Sequence, residues 1–130
     1  MKEKLNEFLL SRPFHQWLGL SVLDVGDDYV EIAATWRPEW IVNPEGQYIH
    51  GGILAALVDL GADMSLYSRI GKGVPTIDLR VDYHAPARGD LRVVGKVVRF
   101  GKRVSSAQAE VFDRDGRLVA SGRGVFHTGG

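Results

Sequence analysis

The feature that most constrains this chain is a helical segment that is apolar on almost every side. The segment runs from residue 51 to about residue 69 without a proline. Its apolar residues cover nearly the whole helical circumference, and they are Ile53, Leu54, Ala55, Ala56, Leu57, Val58, Leu60, Ala62, Met64 and Leu66. A helix that is apolar on all sides is a buried helix. In a chain of 130 residues, only a sheet wrapped around the helix can bury it.

The rest of the sequence supplies such a sheet. Within residues 76–84, Ile77, Leu79, Val81 and Tyr83 alternate with polar residues, which is the period of a half-buried strand. Further strands are predicted over residues 20–25, 29–36, 91–100, 104–112 and 118–127, with a hairpin turn at 114–117 and a structured loop over 37–50. The sequence therefore predicts an α+β fold, in which a strongly curved antiparallel sheet wraps around one long central helix.

We expect a single domain over residues 1–130. No repeat, low-complexity tract or linker divides the chain, and at about 100–200 residues per domain there is no room for a second core. Residues 1–18 form an N-terminal helical segment, because apolar side chains recur there at helical spacing. Pro13 is expected to interrupt this segment into one or two short helices.

Charge and cysteine content narrow the function. The 16 Lys and Arg residues balance the 16 Asp and Glu residues, which argues against a nucleic-acid or anionic-membrane binder. The absence of cysteine excludes disulfides, thiolate nucleophiles and cysteine metal sites. The N-terminus shows no secretory signal, and the longest apolar segment is short for a bilayer and contains Asp59 and Asp63. We therefore expect a cytoplasmic protein.

The junction between the loop and the long helix carries the sequence His50-Gly51-Gly52. Two glycines allow another molecule to approach the backbone closely, and the first turn of a helix has N–H groups without partners. Together with the helix dipole, these N–H groups suit a developing negative charge. The alternative is that the glycines form a tight turn and that His50 caps the helix or packs against it.

Asp59 lies in the middle of the apolar helix, and Asp63 follows one turn later on the same face. A buried carboxylate is costly unless it is paired or used. Burial and a second carboxylate would both raise a carboxyl pKa, which suits a general base or a nucleophile. The alternative is that one or both side chains face solvent or accept backbone hydrogen bonds.

The spacing of these two features has a consequence for assembly. Gly51 and Asp59 are eight residues apart, which is about 12 Å along a helix axis. An Asp side chain cannot reach a carbonyl group held at the N-terminus of its own helix across that distance. If both residues act on one substrate, they come from different chains related by a two-fold axis. The active-site hypothesis therefore implies a dimer.

Basic residues cluster at predicted turns. Arg99, Lys102 and Arg103 flank Gly101, and Arg88 precedes another turn. Such side chains can bind phosphates, although most clusters of this kind are simply solvated turns.

These residues lead to a family resemblance that covers nearly the whole chain, from about residue 20 to residue 126. Residues 49–59 (IHGGILAALVD) resemble the signature of the hotdog-fold acyl-CoA thioesterases, of the PaaI-like and thioesterase-superfamily-member-2 type. Residues 73–86 (GVPTIDLRVDYHAP) resemble the strand that follows the helix in that family. The resemblance implies the hotdog fold and hydrolysis of an acyl-CoA thioester to a free acid and CoA, with no metal or organic cofactor.

The resemblance also implies a role for each catalytic residue. The backbone N–H of Gly51 would polarise the thioester carbonyl, and His50 would orient the loop and the substrate. Asp59 of the partner chain would be the nucleophile or general base, and Thr76 would hold the attacking water or steady the carboxylate. Asn43 matches the loop amide of the family, but it lies one residue further from His50 than the family spacing. An alternative is therefore that Gln47 takes that role.

Other positions follow more loosely from the resemblance. Gly52, Arg99, Lys102 and Arg103 are candidates for CoA binding, and Asp63 occupies a place where some relatives have a water-holding Thr. The acyl group would enter between two protomers, with Trp40, Tyr48, Phe14 and Trp17 as candidate lining residues. The alternative is that these side chains belong to the core, as aromatic residues at such positions more often do. A homodimer that forms the active site is implied, with a homotetramer as the expected assembly.

Three alternative functions are weighed against hydrolysis. A hotdog dehydratase or hydratase would use a catalytic His in a different motif. A non-catalytic acyl-CoA binding protein would normally need an attached output domain, and a structural assembly protein would have no use for Asp59. The acyl group itself is not specified by the sequence.

Overall fold

A six-stranded antiparallel sheet with one long helix packed on it forms the body of the protein. The computed structural model describes residues 1–129. Its strands are β1 (Leu20–Gly26), β2 (Tyr29–Ala34), β3 (Ile41–Asn43), β4 (Tyr48–Ile49), β5 (Thr76–Tyr83), β6 (Leu91–Arg99), β7 (Val104–Phe112) and β8 (Leu118–His127). Its helices are α1 (Lys2–Leu10), α2 (Pro13–Trp17), α3 (Gly51–Ser65) and α4 (Tyr67–Ile70), with one 3₁₀ turn at Pro38–Trp40.

The order of strands in the large sheet is β1-β2-β6-β7-β8-β5, with every neighbouring pair antiparallel. β3 and β4 form a separate two-stranded hairpin directly before α3. The buried apolar side chains form one cluster, to which α3, the sheet and α1 all contribute. The predicted α+β fold, with its antiparallel sheet and long central helix, is confirmed.

The centre of α3 rests directly on the backbone of β6. A Cβ atom added at Gly95 would overlap the carbonyl oxygen of Gly61, and one added at Gly61 would lie 2.6 Å from a methyl group of Val93. Both glycines are therefore needed to let the helix approach the sheet this closely. The contact brings apolar side chains on both sides of it into the core, among them Leu57 and Ala109.

The expectation that α3 is buried on all sides is wrong for this chain alone. The sheet covers one side of the helix, and on the opposite side Gly52, Ala56, Asp59 and Asp63 stay exposed or half-buried. We call these four residues, which share one helix face, the uncovered stripe. The helix also ends earlier than predicted, at Ser65, and the short α4 follows Leu66. Within residues 1–129, no helix is both long enough and apolar enough to cross a membrane.

β5 also differs from its predicted half-buried pattern. Ile77 is 56% exposed and Tyr83 is 57% exposed, while Leu79 and Val81 are only partly buried. These side chains are exposed because β5 is an edge strand, which pairs only with β8 among the described residues. In addition, its register shifts between Thr76 and Asp78, which leaves Ile77 without a partner in the ladder.

The N-terminal segment packs against the other edge of the sheet. Leu5 and Leu9 of α1 are fully buried, and Asn6 accepts a hydrogen bond from the Val22 N–H of the edge strand β1 at 2.9 Å. Pro13 is the first residue of α2, so the predicted interruption at this proline is confirmed. This segment covers the edge of β1, whereas the edge of β5 is left open.

We expect Gly95→Ala to destabilise the protein by about 3 kcal/mol, because the new methyl group would force α3 away from β6. Gly26→Ala is the matched control, since nothing lies within 4 Å of its added Cβ, and its effect should stay within about 0.5 kcal/mol. Urea denaturation at one protein concentration measures both. Equal stability of the two variants would contradict the close helix–sheet contact.

Candidate active site

The N-terminus of α3 is capped by His50. The imidazole Nδ1 accepts a hydrogen bond from the Gly52 N–H at 2.8 Å. The His50 carbonyl accepts the N–H of Ile53 at 3.0 Å. Within residues 1–129 the Gly51 N–H donates no hydrogen bond. The cap therefore occupies the second N–H of the helix and leaves the first one, at Gly51, directed away from the helix body with its positive partial charge available.

The backbone N–H groups of the two glycines at this junction thus differ in their hydrogen bonding. The Gly51 N–H is free, as the oxyanion hypothesis requires, while the N–H of Gly52 is used by His50. The capping alternative for His50 is what the structure shows, and the exposed ring still lies beside Gly51.

Tyr83, which the sequence reasoning assigned only to a buried strand face, reaches this junction. Its hydroxyl donates to the Gly51 carbonyl at 2.9 Å. The end of β5 therefore lies over the start of α3. The contact arises because β5 runs antiparallel to α3. That relative direction depends on tertiary packing, so no local sequence pattern predicts it.

Asp59 lies on the uncovered stripe and contacts the start of β5. Thr76 Oγ1 donates a hydrogen bond to Asp59 Oδ1 at 2.7 Å. The predicted pairing of Thr76 with Asp59 is therefore present in the geometry. One carboxylate oxygen is held by this bond, and Asp59 is only partly buried, so the carboxylate can be approached from the uncovered side.

Asp63 lies one turn further along α3 and is also half-buried. Its Oδ1 accepts the Val74 N–H at 3.1 Å, and its surroundings include Gly73, Met64 and the ring of Phe8. Burial raises the pKa of Asp63 to about 7, because removing the carboxylate from water outweighs the hydrogen bond from Val74. The negative charge of Asp59 adds a smaller increase. The raised pKa expected for the aspartate pair thus falls on Asp63.

The loop amides that were candidates for the thioester end hold their own hairpin. Asn43 Oδ1 accepts the Gly46 N–H at 2.8 Å, and Gln47 Nε2 donates to the Pro44 carbonyl at 2.7 Å. Both side chains are exposed. Neither makes a hydrogen bond to His50, Gly51 or Asp59 within residues 1–129, so the choice between them stays open.

The basic candidates lie together at the turn between β6 and β7. Arg99, Lys102 and Arg103 are exposed, and a cavity of about 500 Å³ is lined by Lys102, Arg103, His127 and Gly129. Sequence reasoning did not single out His127. Its pairing with Val104 across the β7–β8 hairpin could have placed it beside this turn.

Arg88 has a different role from the turn cluster. Its Nε donates to the Gly46 carbonyl at 3.0 Å, and its guanidinium lies 4.7 Å from the centre of the Tyr48 ring. Arg88 therefore holds the β3–β4 hairpin that leads into His50. Together with Arg114 and Trp36 it lines a cavity of about 550 Å³ next to that hairpin.

Trp40 does not line a tunnel, since it is fully buried in the core and belongs to the packing of the domain. Phe14 and Trp17 stack on each other, with ring centres 6.2 Å apart, and Arg37 lies over the Trp17 ring. These aromatic side chains pack around α2. In the described part of the chain no three His, Cys, Asp or Glu side chains are grouped as metal ligands would be.

We expect Asp63→Asn to be more stable than wild type above pH 7. In the unfolded chain Asp63 ionises near pH 3.8, whereas in the folded protein it stays protonated up to about pH 7. The free energy of unfolding therefore falls as the pH rises from about 4 to about 7. Asn cannot ionise and retains an oxygen for Val74, so the gain should reach roughly 2–4 kcal/mol at pH 8 and shrink toward pH 4.

Thermal unfolding at pH 5 and pH 8 measures this gain. Asp27→Asn, at an exposed position in the turn between β1 and β2, is the control for simple loss of a carboxylate. A Tm difference between Asp63→Asn and wild type that is the same at both pH values would contradict the raised pKa.

Comparison with known proteins agrees with this architecture. The family model of the thioesterase superfamily matches residues 46–120, more than half of the chain. A crystal structure of a protein described as from the thioesterase superfamily is 46% identical and superposes with a TM-score of 0.94, covering 97% of this chain and 96% of that chain. The structure of zebrafish thioesterase superfamily member 2 is 26% identical with a TM-score of 0.81, covering 98% of this chain and 95% of that chain.

A curated relative carries an activity in its name. The medium/long-chain acyl-CoA thioesterase YigI of Salmonella typhimurium is 27% identical over 139 residues, covering 94% of this chain and 89% of the relative. The match of the family model and the agreement in fold confirm the family that residues 49–59 and 73–86 predicted. The chain belongs to the thioesterase superfamily, and it is a thioester hydrolase with the hotdog fold.

Proposed function

We propose that this protein hydrolyses acyl-CoA thioesters to a free acid and CoA. The observation that carries the proposal is the pair of groups on α3: an unpaired N–H at Gly51 and a carboxylate at Asp59 held by Thr76. A backbone N–H at a helix N-terminus stabilises an oxyanion, and an accessible carboxylate can attack or activate water. The name of the YigI relative supports CoA as the thiol part of the substrate.

The chemistry of the proposed step needs no redox partner. Asp59 removes a proton from water while the water oxygen attacks the thioester carbonyl carbon. The negative charge that develops on the carbonyl oxygen is stabilised by the Gly51 N–H. When the tetrahedral species collapses, the carbon–sulfur bond breaks and CoA leaves as the thiolate. The proton on Asp59 then passes to the thiolate or to solvent, which restores the carboxylate. If Asp59 attacks directly, an acyl–Asp59 anhydride forms first and water then hydrolyses it.

The geometry supports a site that is shared between two chains. Gly51 and Asp59 belong to one continuous helix, which keeps them about 12 Å apart along its axis. The uncovered stripe and the open edge of β5 lie next to each other, since Thr76 of β5 contacts Asp59 of the stripe. A homodimer that covers both would bring the Gly51 N–H of one protomer to Asp59 of its partner. Dimers of this kind can pair further into the expected homotetramer.

The remaining residues have supporting roles in this proposal. His50 caps the helix N-terminus and in this proposal orients the loop and the substrate. The loop amide of the proposal is that of Asn43 or Gln47, each of which is hydrogen-bonded within its own hairpin. The proposed phosphate contacts of CoA come from Arg99, Lys102 and Arg103, with Gly52 near the thioester. No metal or organic cofactor takes part in the proposed step.

We expect Asp59→Asn to lower kcat for acyl-CoA hydrolysis by a factor of about 10³, because an amide cannot take a proton from water or attack the carbonyl. The assay detects the thiol released from a panel of phenylacetyl, hydroxybenzoyl, hexanoyl and palmitoyl-CoA. Asp27→Asn, which removes an exposed carboxylate far along the chain from α3, should retain wild-type activity.

Each outcome of this assay has a distinct meaning. Turnover that survives Asp59→Asn would show that Asp59 is not the catalytic carboxylate. Binding of acyl-CoA without turnover by folded wild type would favour the acyl-CoA binding protein over the enzyme. Hydration of an enoyl-CoA in place of hydrolysis would favour the hydratase. The ranking of the panel defines the acyl group.

The role of the Gly51 N–H can be tested with two variants that add the same Cβ atom. Gly51→Pro removes the N–H at a helix position where proline is well tolerated, and we expect kcat to fall by a factor of about 10²–10³. Gly51→Ala keeps the N–H and meets only the exposed Tyr83 ring, at 3.3 Å, so it should retain most of the activity. Equal loss in both variants would indicate that bulk, and not the N–H, is responsible.

Mixing of variants tests whether the site is shared. In a hetero-oligomer of Gly51→Pro and Asp59→Asn chains, one site combines an intact Gly51 with an intact Asp59 from the other chain. Co-expression with two different tags should therefore restore about a quarter of wild-type activity, from random pairing. Purified hetero-oligomers without recovered activity would place both groups of a site in one chain.

A further inference from the structure

Two carboxylates of α3 bind the same segment of chain, the one that leads into β5. Asp63 Oδ1 accepts the Val74 N–H at 3.1 Å, and Asp59 Oδ1 accepts the Thr76 hydroxyl at 2.7 Å. The two acceptors are one helical turn apart, and the two donors are two residues apart. The start of β5 is thus attached to α3 at two successive points.

The sheet is irregular where Thr76 begins β5. Thr76 pairs with Phe126, but the register shifts immediately after it, so the ladder is irregular at this position. Pro75 has no N–H, and its carbonyl accepts the His127 N–H at 2.9 Å. A strand end with a shifted register is bent and re-aimed relative to a regular strand. Two residues before Thr76, the Val74 N–H donates to Asp63. This bond is the contact with α3 that lies nearest to Thr76 on its N-terminal side.

We propose that Asp63 is a positioning residue, which fixes Val74 against α3 and thereby holds the Thr76 hydroxyl on Asp59. This inference rests on the proposed function, in which Asp59 is the catalytic carboxylate. Asp63 does not itself touch the substrate in this arrangement. It acts through the backbone of Val74 and the side chain of Thr76.

The surroundings of Asp63 agree with this role. Its second oxygen, Oδ2, lies on the side of Gly73, where Met64 and Phe8 also pack. Among residues 1–129, the charged group that acts on Asp63 is Asp59, and α1 presents only the Phe8 ring in this contact. Partial burial of a carboxyl among apolar groups lowers stability unless the carboxyl is hydrogen-bonded. Asp63 makes its hydrogen bond with the backbone of Val74, two residues before Thr76. An acceptor at this position, and not a charge, is what the contact requires.

The test compares variants that keep the acceptor at position 63 with variants that remove or shorten it. Asp63→Asn retains an oxygen for the Val74 N–H, so kcat should stay within about threefold of wild type. Asp63→Ala and Asp63→Ser remove or shorten the acceptor, and we expect kcat to fall about tenfold with KM little changed. The Ser variant serves if the Ala variant does not fold. Ser65→Ala is the control, since it removes a buried hydrogen bond within α3 that does not involve β5.

A double-mutant cycle with Thr76→Ala shows whether Asp63 acts through Thr76. If it does, Asp63→Ala lowers kcat about tenfold in wild type but has little further effect when Thr76 is already Ala. Multiplicative losses in kcat would overturn the proposal. Full activity of Asp63→Ala, or an equal loss in Asp63→Asn, would also overturn it.

A measurement that needs no substrate separates this proposal from the proposed function. Amide hydrogen exchange at Val74 should be slow in wild type and in Asp63→Asn and at least tenfold faster in Asp63→Ala. If wild type hydrolyses no thioester while this pattern holds, the proposed function fails and the structural link stands. If wild type is active and the exchange at Val74 does not change, the positioning role fails alone.

Discussion

The close contact between the backbone of α3 at Gly61 and that of β6 at Gly95 determines the rest of this structure. Because no side chain separates the two backbones there, one side of the helix is pressed against the sheet along its middle turns. The opposite side is then left for other uses. That opposite side is the uncovered stripe, which carries Asp59 and Asp63, so the packing that builds the core also presents the carboxylates.

Both ends of β5 contact α3 at residues of the candidate site. Thr76 at the start of the strand contacts Asp59, while Tyr83 at its end contacts the carbonyl of Gly51. A single edge strand thus touches both the carboxylate region and the N-terminus of α3. This arrangement links the geometry of the site to a strand whose outer edge has no partner among residues 1–129. In the proposed dimer, the contact that covers this edge therefore also orders the site.

The fold was largely predictable, because its signals are local. Alternation defined most strands, the apolar run defined α3, and the Gly116 turn between β7 and β8 followed from the residue types. The exposure of Ile77 was not predictable, since it depends on which strand lies at the edge of the sheet. Sequence periodicity reports which face of an element is apolar, and it does not report whether the same chain covers that face.

The site shows the same division. The His-Gly-Gly junction and Asp59 were accessible from residue type and spacing, and Thr76 was accessible from the family resemblance. The structure brings Thr76 to Asp59. The contact of Tyr83 with Gly51 and the bond from Val74 to Asp63 depend on how β5 and the segment before it lie against the helix. Such contacts join residues that are distant in sequence and carry no local pattern.

The cap at the start of α3 also decides the tautomer of His50. A backbone N–H can only donate, so the Nδ1 that receives it carries the lone pair, and the ring proton resides on Nε2. While the cap is in place, the outward nitrogen offers a hydrogen and has no lone pair to accept one. His50 is therefore suited to donate a hydrogen bond to an oxygen of a bound molecule. A dehydratase would need His50 to remove a proton from carbon, and the ring could do so through Nε2 only after the hydrogen bond that caps the helix is broken.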